Sequence, residues 1–155
     1  MKTNFLKLLT VLSVCGAVLL LADAGYAQKR IARGKSYTKA EVEQVVNRVE
    51  ERVDNFVKHY DKSLDRSRLD GSEREDWLMK RARDLESATD ELRREFDRRD
   101  SWAENRDEVR RCLSVAEDIN KNMRTRRYGA DTESIWTRVR YELNTLAKIY
   151  NLPLV

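Results

Sequence analysis

From Val42 to Tyr150 the apolar residues of this chain recur in alternating steps of three and four, and no other feature narrows its fold as much. A step averaging about 3.5 residues keeps apolar side chains on one face of an α-helix, whereas a half-buried strand needs strict alternation. Behind Thr38, the residues Val42, Val46, Val49, Val53, Phe56, Tyr60 and Leu64 make such a face, widened by Val45 and Val57. Valine favours strands by propensity. Strict alternation, however, would set Glu43, Asn47 and Glu51 beside the valines, so period outweighs propensity and the segment reads as helix.

Three more segments repeat the pattern. The second carries Leu78, Ala82, Leu85, Thr89, Leu92 and Phe96, flanked by Trp77 and Ala88. The third carries Val109, Cys112, Ala116, Ile119 and Met123, and the fourth Ile135, Trp136, Val139, Leu143, Leu146, Ile149 and Tyr150. Thr38 to Glu41, Ser72 to Glu75 and Ser101 to Glu104 have the hydroxyl-x-x-acid order of capping boxes, in which hydroxyl and carboxylate satisfy amides at a helix start. The first helix is expected to run to Asp70 with Gly71 as its left-handed stop. Tyr128 and Gly129 are expected to end the third, Asp131 or Thr132 to cap the fourth, and Pro153 to close the pattern.

Helices of this period, joined by short connections, pack beside one another at about +20°. The expected fold is all-α: an antiparallel up-down four-helix bundle over residues 38–155 with left-handed, coiled-coil-like packing. A dimer of helical hairpins satisfies the same pattern. Charged residues make up 37% of the chain, and acid-first pairs four apart recur: Asp54–Lys58, Asp76–Lys80, Asp90–Arg94, Glu95–Arg99, Asp107–Arg111 and Glu117–Lys121. Each such pair contributes only about 0.2–0.5 kcal/mol. Together with the apolar period they mark a solvated helix surface rather than a disordered chain.

Ahead of the bundle, Lys2 and Lys7 precede an apolar run from Leu8 to Leu21, and Gly25 and Ala27 set small residues at the −3 and −1 positions of a cleavage after Ala27. This is the order of an export signal. Residues 1–27 are therefore expected to be removed, with Ala24 as the second cleavage choice, and the product to be periplasmic or secreted. The run falls short of the ~20 residues of a membrane span. Positive charge is also heavier after it than before it, against a stable anchor with its N-terminus inside. The processed chain is thus not expected to be integral to a membrane. Cys15 follows Val14 inside the run, which fits lipid attachment poorly. Residues 28–37 lack an apolar period and read as a flexible basic arm. Its Lys29, Arg30, Arg33 and Lys35 are candidate contacts to an anionic lipid or cell-wall polymer.

Chemistry is sparse. Past the leader there is one cysteine, Cys112, and one histidine, His59. Covalent haem, a di-iron pair of Glu-x-x-His motifs and Cys/His zinc sites all need more ligands than that. No metal, no cofactor and no catalytic residue is expected, and the chain is not read as an enzyme, because a lone base has neither nucleophile nor orienting partner. Cys112 lies on the third seam, which favours burial; a bridge between two chains is the alternative in an oxidising compartment. Reading Asp65 to Gly71 as a calcium loop puts Arg66 and Arg68 at oxygen-ligand positions and Trp77 at the bidentate acid, so Gly71 is better taken as a helix stop.

Trp77, Trp102 and Trp136 fall near helix starts and suit core end-plugs. Trp102, in a short turn, is the one singled out as an exposed binding anchor. Arg93, Arg94, Arg98 and Arg99, and then Lys121, Arg124, Arg126 and Arg127, fall in last turns where cations complement the dipole. In an up-down bundle these two groups lie at opposite ends. Export removes nucleic acid as the ordinary partner.

The stretches Lys62 to Gly71 (KSLDRSRLDG), Ala88 to Arg93 (ATDELR) and Trp136 to Leu152 (W-x-x-V-R-x-x-L-x-x-L-A-x-x-Y-x-L) carry a resemblance. From about Glu41 to Leu152 the chain resembles an uncharacterised family of short exported bacterial helical-bundle proteins. That resemblance implies a fold and export, and it implies no activity, cofactor or site residue. The expected function is therefore non-enzymatic: binding a protein partner, or self-association, in the cell envelope. A surface binder acting through the basic arm is the alternative. A small-ligand or stress-sensing bundle, hinted at only by Thr89 on the second seam, ranks below both.

Overall fold

The computed structural model describes residues 36–155; the export leader and the arm residues Lys29, Arg30, Arg33 and Lys35 lie outside the described residues. Among the described residues every regular element is helical: α1 (Lys39–Asp65), α2 (Glu73–Arg98), α3 (Arg106–Thr125) and α4 (Ala130–Ile149), with a single 3-10 turn (Trp102–Asn105) ahead of α3. None of these helices is long and apolar enough to cross a membrane. The main contacts run from α1 to α2, α2 to α3, α3 to α4 and α4 back to α1, so four helices close on one core as a bundle.

The core follows the seams seen in the sequence, except that Ile135 is only partly buried and Leu113 and Ala147 join it. All nine expected α1 positions are buried, from Val42 to Leu64. Each large apolar side chain removed from water contributes about 1.5–3 kcal/mol, which is how a surface this charged is held around a compact interior. Phe56 stacks on Tyr60 with ring centroids 5.0 Å apart and meets the Trp136 ring at 4.9 Å, and Tyr60 meets Tyr128 edge-on at 5.1 Å. Trp136 is thus an end-plug, as expected. In α2, by contrast, Met79 is buried and Trp77 is 38% exposed.

The helix starts are less uniform than the sequence implies. At α1 the box is complete: Glu41 N donates to Thr38 Oγ1 (3.2 Å), and Thr38 N donates to Glu41 Oε2 (2.9 Å). At α2 Ser72 Oγ accepts from Glu75 N (3.2 Å), but the Glu75 carboxylate accepts from Gly71 N (2.6 Å) and ties down the turn instead. Gly71 has φ +71°, the left-handed conformation, yet α1 stops earlier, at Asp65. The cause is local: Ser67 Oγ accepts from Leu69 N (3.0 Å), a side-chain turn that competes with the helical ladder.

Ser101 makes no cap. Residues Trp102–Asn105 form the 3-10 turn instead, and α3 starts at Arg106. Tertiary contacts decide this, since Trp102 Nε1 donates to the Tyr37 carbonyl (3.1 Å) and Tyr150 Oη donates to the Trp102 carbonyl (2.7 Å). Helix α3 ends at Thr125, before Tyr128, and α4 starts behind Gly129 (φ +92°) with no side-chain cap. Asp131 lies in its first turn, and Thr132 is buried. At the far end Asn151 adopts φ +52° and the chain folds back, with Leu152 N donating to Ala147 O (2.8 Å) and Val155 N to Asn144 Oδ1 (2.8 Å).

One carboxylate is buried in the bundle wall. Glu142 of α4 accepts from Arg48 Nε of α1 (3.2 Å), and Arg52 Nε lies 3.3 Å from its other oxygen, an ion pair off the line of a hydrogen bond.

Candidate functional site

The two basic groups of the sequence meet different fates. Arg93 pairs with Glu43 across α1 and α2 (3.5 Å) and with Asp97 (3.4 Å). Arg94 pairs with Glu91, and Arg98 with Glu95 at 3.0 Å. Arg99 contacts Glu95 (3.2 Å) and grips Glu108 of α3 with both Nη atoms (3.0 and 2.8 Å). The α2 cluster is thereby absorbed into the structure. In the second group Lys121 pairs with Glu117 (3.2 Å) and Arg127 lies 3.9 Å from Glu133, whereas Arg124 and Arg126 have no ion pair within the described residues.

These unpaired cations rim a cleft where α3 and α4 part, of about 330 Å³. Arg124, Arg126, Arg127 and Arg140 line it against one carboxylate, Glu133, with Asn120 and Trp136 in the wall. Hydrogen bonds tie its wall to neighbouring helices. Asn120 Oδ1 accepts from Trp136 Nε1 (3.2 Å) and from Arg140 Nη1 (3.2 Å), binding α3 to α4. Two residues on, buried Asn122 donates Nδ2 to Asp118 O (2.8 Å), while its Oδ1 accepts from Arg74 of α2. Ser63 at the end of α1 donates to the Tyr128 carbonyl, which fixes the α3–α4 turn against the end of α1. A second cleft of about 620 Å³ adjoins through Arg127 and is lined by His59, Lys62, Arg66 and the first turn of α4. His59 is exposed there.

On the α1–α2 side of the same end the charge reverses. Asp61, Asp65, Asp70, Glu75, Asp76 and Asp84 line a groove of about 510 Å³ with Lys80 and Arg83. Carboxylate oxygens of Asp65, Asp70 and Glu75 lie within 4.8 Å of one another, a spacing able to hold a hard cation. Two of the three residues are exposed, and Glu75 is already committed to Gly71 N.

The other residues singled out in the sequence are placed as follows. Cys112 is fully buried in the α3 seam, and burial pushes its thiol up to about 12. A bridge between two copies would therefore require α3 to open. Trp102 is half-buried, edge-on to Tyr150 at 5.3 Å, and clasps the start of the described chain to the turn before α3. Its ring thus takes part in the fold while remaining partly exposed. Tyr37, counted with the arm by sequence, packs against the core.

The exposed tryptophan is Trp77, covered on its face by the Arg74 guanidinium at 4.6 Å, with Arg81 at 5.9 Å. The pattern in which Trp77 flanks the seam gave no sign of this. Asn120 was likewise missed, because it falls one step beyond Ile119 and helical period alone reads it as surface. Compared with family models, curated proteins and solved structures, the chain matches none.

Proposed function

We propose that this chain is a non-enzymatic helical-bundle protein of the cell envelope that binds an acidic protein partner, or a second copy of itself, through the cleft between α3 and α4. The observation that carries this reading is the unequal fate of the two arginine clusters. One is neutralised by glutamates and aspartates of its own fold, while Arg124 and Arg126 of the other line a concave surface with no ion pair among the described residues. Uncompensated cations in a cleft steer an oppositely charged partner and speed its encounter.

The reading includes the finer points of architecture and address. The four helices run up-down-up-down, antiparallel with left-handed packing. The leader is cleaved after Ala27, which delivers the product to the periplasm or the outside, and the basic arm of Lys29, Arg30, Arg33 and Lys35 adds affinity for an anionic envelope surface. Kinship with short exported helical bundles belongs to the same proposal.

Amine-reactive crosslinking of native envelope fractions followed by mass spectrometry tests it. The wild-type chain is expected in adducts with another protein or with itself, and the charge reversals Arg124→Glu, Arg126→Glu and Arg127→Glu together are expected to remove those adducts. Recovery of the free monomer alone would overturn the proposal.

A further inference from the structure

We propose that the cleft around Asn120 is a binding site for a protein carboxylate, an aspartate or glutamate side chain or a chain end. This rests on the partner-binding reading above and adds the chemistry of recognition. Asn120 is 7% exposed. Its Oδ1 takes hydrogen bonds from an indole N–H and a guanidinium, groups that only donate, so the amide has a single orientation. The Nδ2 atom is left with two N–H donors and no acceptor among the described residues. Nδ2 is not sealed in the core: it reaches solvent at the cleft wall, so its two N–H groups are open to an acceptor that enters the cleft. Its acceptor must come from outside the fold, from solvent in the free chain and from a ligand in the bound one.

The surrounding charge says what kind of acceptor. Four guanidiniums line the cleft against one carboxylate. The C-terminus of α3 adds roughly half a negative charge, too little to offset them. An acceptor that also carries negative charge is an oxyanion. A planar amide and guanidinium can pair in-plane with the two coplanar oxygens of a carboxylate; the arginine fork by itself matches phosphate equally well, so the choice rests on where the helix-start amides lie. The free amides of a helix start, which suit phosphate, belong to Ala130, Asp131 and Thr132, and these line the adjoining cleft rather than this one. The carboxylate has two protein sources: an acidic segment of another protein, or the Asp65, Asp70 and Glu75 groove on a second copy of this chain.

Side-chain amide NMR of the 15N-labelled chain, purified from the envelope, tests the proposal directly. A hexaglutamate peptide is expected to shift the Asn120 Nδ2 signals saturably. Asn120→Asp keeps the acceptor for Trp136 and Arg140 while replacing the donor with a charged oxygen, and it should weaken binding at least about tenfold. The exposed pair Arg124→Gln and Arg127→Gln should weaken it too, without touching a buried position. Movement of the same signals on concentrating the chain alone supports the proposal with a second copy as the source. Signals that move with neither probe, or with inorganic phosphate and not with the peptide, overturn it. Because the chain is purified, that failure would leave envelope partners found by crosslinking standing and remove only this cleft as their carboxylate site.

Discussion

At the scale of single residues, exposure decides which member of an ion pair matters. The Glu142 side chain is 4% exposed, whereas those of Arg48 and Arg52 are 42% and 36% exposed. Removing both cations strands a buried carboxylate, for which the cost runs to about 3 kcal/mol or more. Removing the carboxylate leaves two arginines that water can reach, and Glu142→Gln should cost only about 1 kcal/mol. Urea unfolding of Arg48→Met/Arg52→Met against Glu142→Gln should therefore give the larger loss for the double variant; equal losses would contradict the account.

Cys112 supplies a pH signature. Below its ordinary value of 9.0 the thiol is protonated in both folded and unfolded chains. Between that value and about 12 the unfolded chain releases the proton and the folded chain keeps it. Stability therefore falls as pH rises through this window, by up to about 1.4 kcal/mol per pH unit. Tyr60 and Tyr150, also raised by burial, add slopes of the same sign from higher pH. Cys112→Ala should flatten the decline between pH 9 and 10, where the thiol acts first, and an unchanged slope would count against a sealed thiol. Burial of Cys112 was legible from its register on the α3 seam. The exposure of Trp77 and the contacts that Trp102 makes with Tyr37 and Tyr150 were not, because register assigns a face and says nothing of how a turn closes on its neighbours.

Among the elements, the four apolar seams were readable because period and burial coincide along each helix, and the boundaries were not. A hydroxyl-x-x-acid string marks three sites by sequence, and only Thr38 closes both halves of the box. At Ser72 the acid is drawn to Gly71, and at Ser101 the Trp102 contacts impose a 3-10 turn before the helix can begin. The surface pairs show the same limit. Glu95–Arg99 and Glu117–Lys121 form as read, but Arg94 turns to Glu91, Arg110 to Asp107 and Lys80 to Asp84. Long exposed side chains choose among several acids of similar energy, each choice being worth a few tenths of a kcal/mol. The caps give a test with a built-in control. Thr38→Ala should lower stability by about 1 kcal/mol, and Ser101→Ala, with no hydrogen bond to lose, by less than about 0.5 kcal/mol. Thermal unfolding of the two variants distinguishes them, and a larger loss at Ser101 would mean that the capping assignment is reversed.

For the whole molecule, the sequence carried the helical class and the seams, and it left the basic cleft hidden. Both arginine clusters look alike as strings in last turns. Only the fold reveals that Glu43 and Glu108 reach across from other helices to neutralise one of them, while Arg124 and Arg126 face a cleft without such a neighbour. Asn120 is legible for the same reason only in three dimensions, since its donors come from a helix that follows sixteen and more residues later. The result is one end of the bundle with acidic residues on the α1–α2 side and basic residues on the α3–α4 side. The central claim is that this basic side is where the chain meets its partner. Site-specific photo-crosslinking in living cells tests it most directly, with the probe at Thr137 in the basic cleft and, separately, at Ser87 in the acidic groove. Adducts with an acidic protein or a second copy from Thr137, at several times the yield from Ser87 when the adduct is to another protein, are predicted. Adducts from Ser87 with none from Thr137, or no adduct from either, would contradict the account.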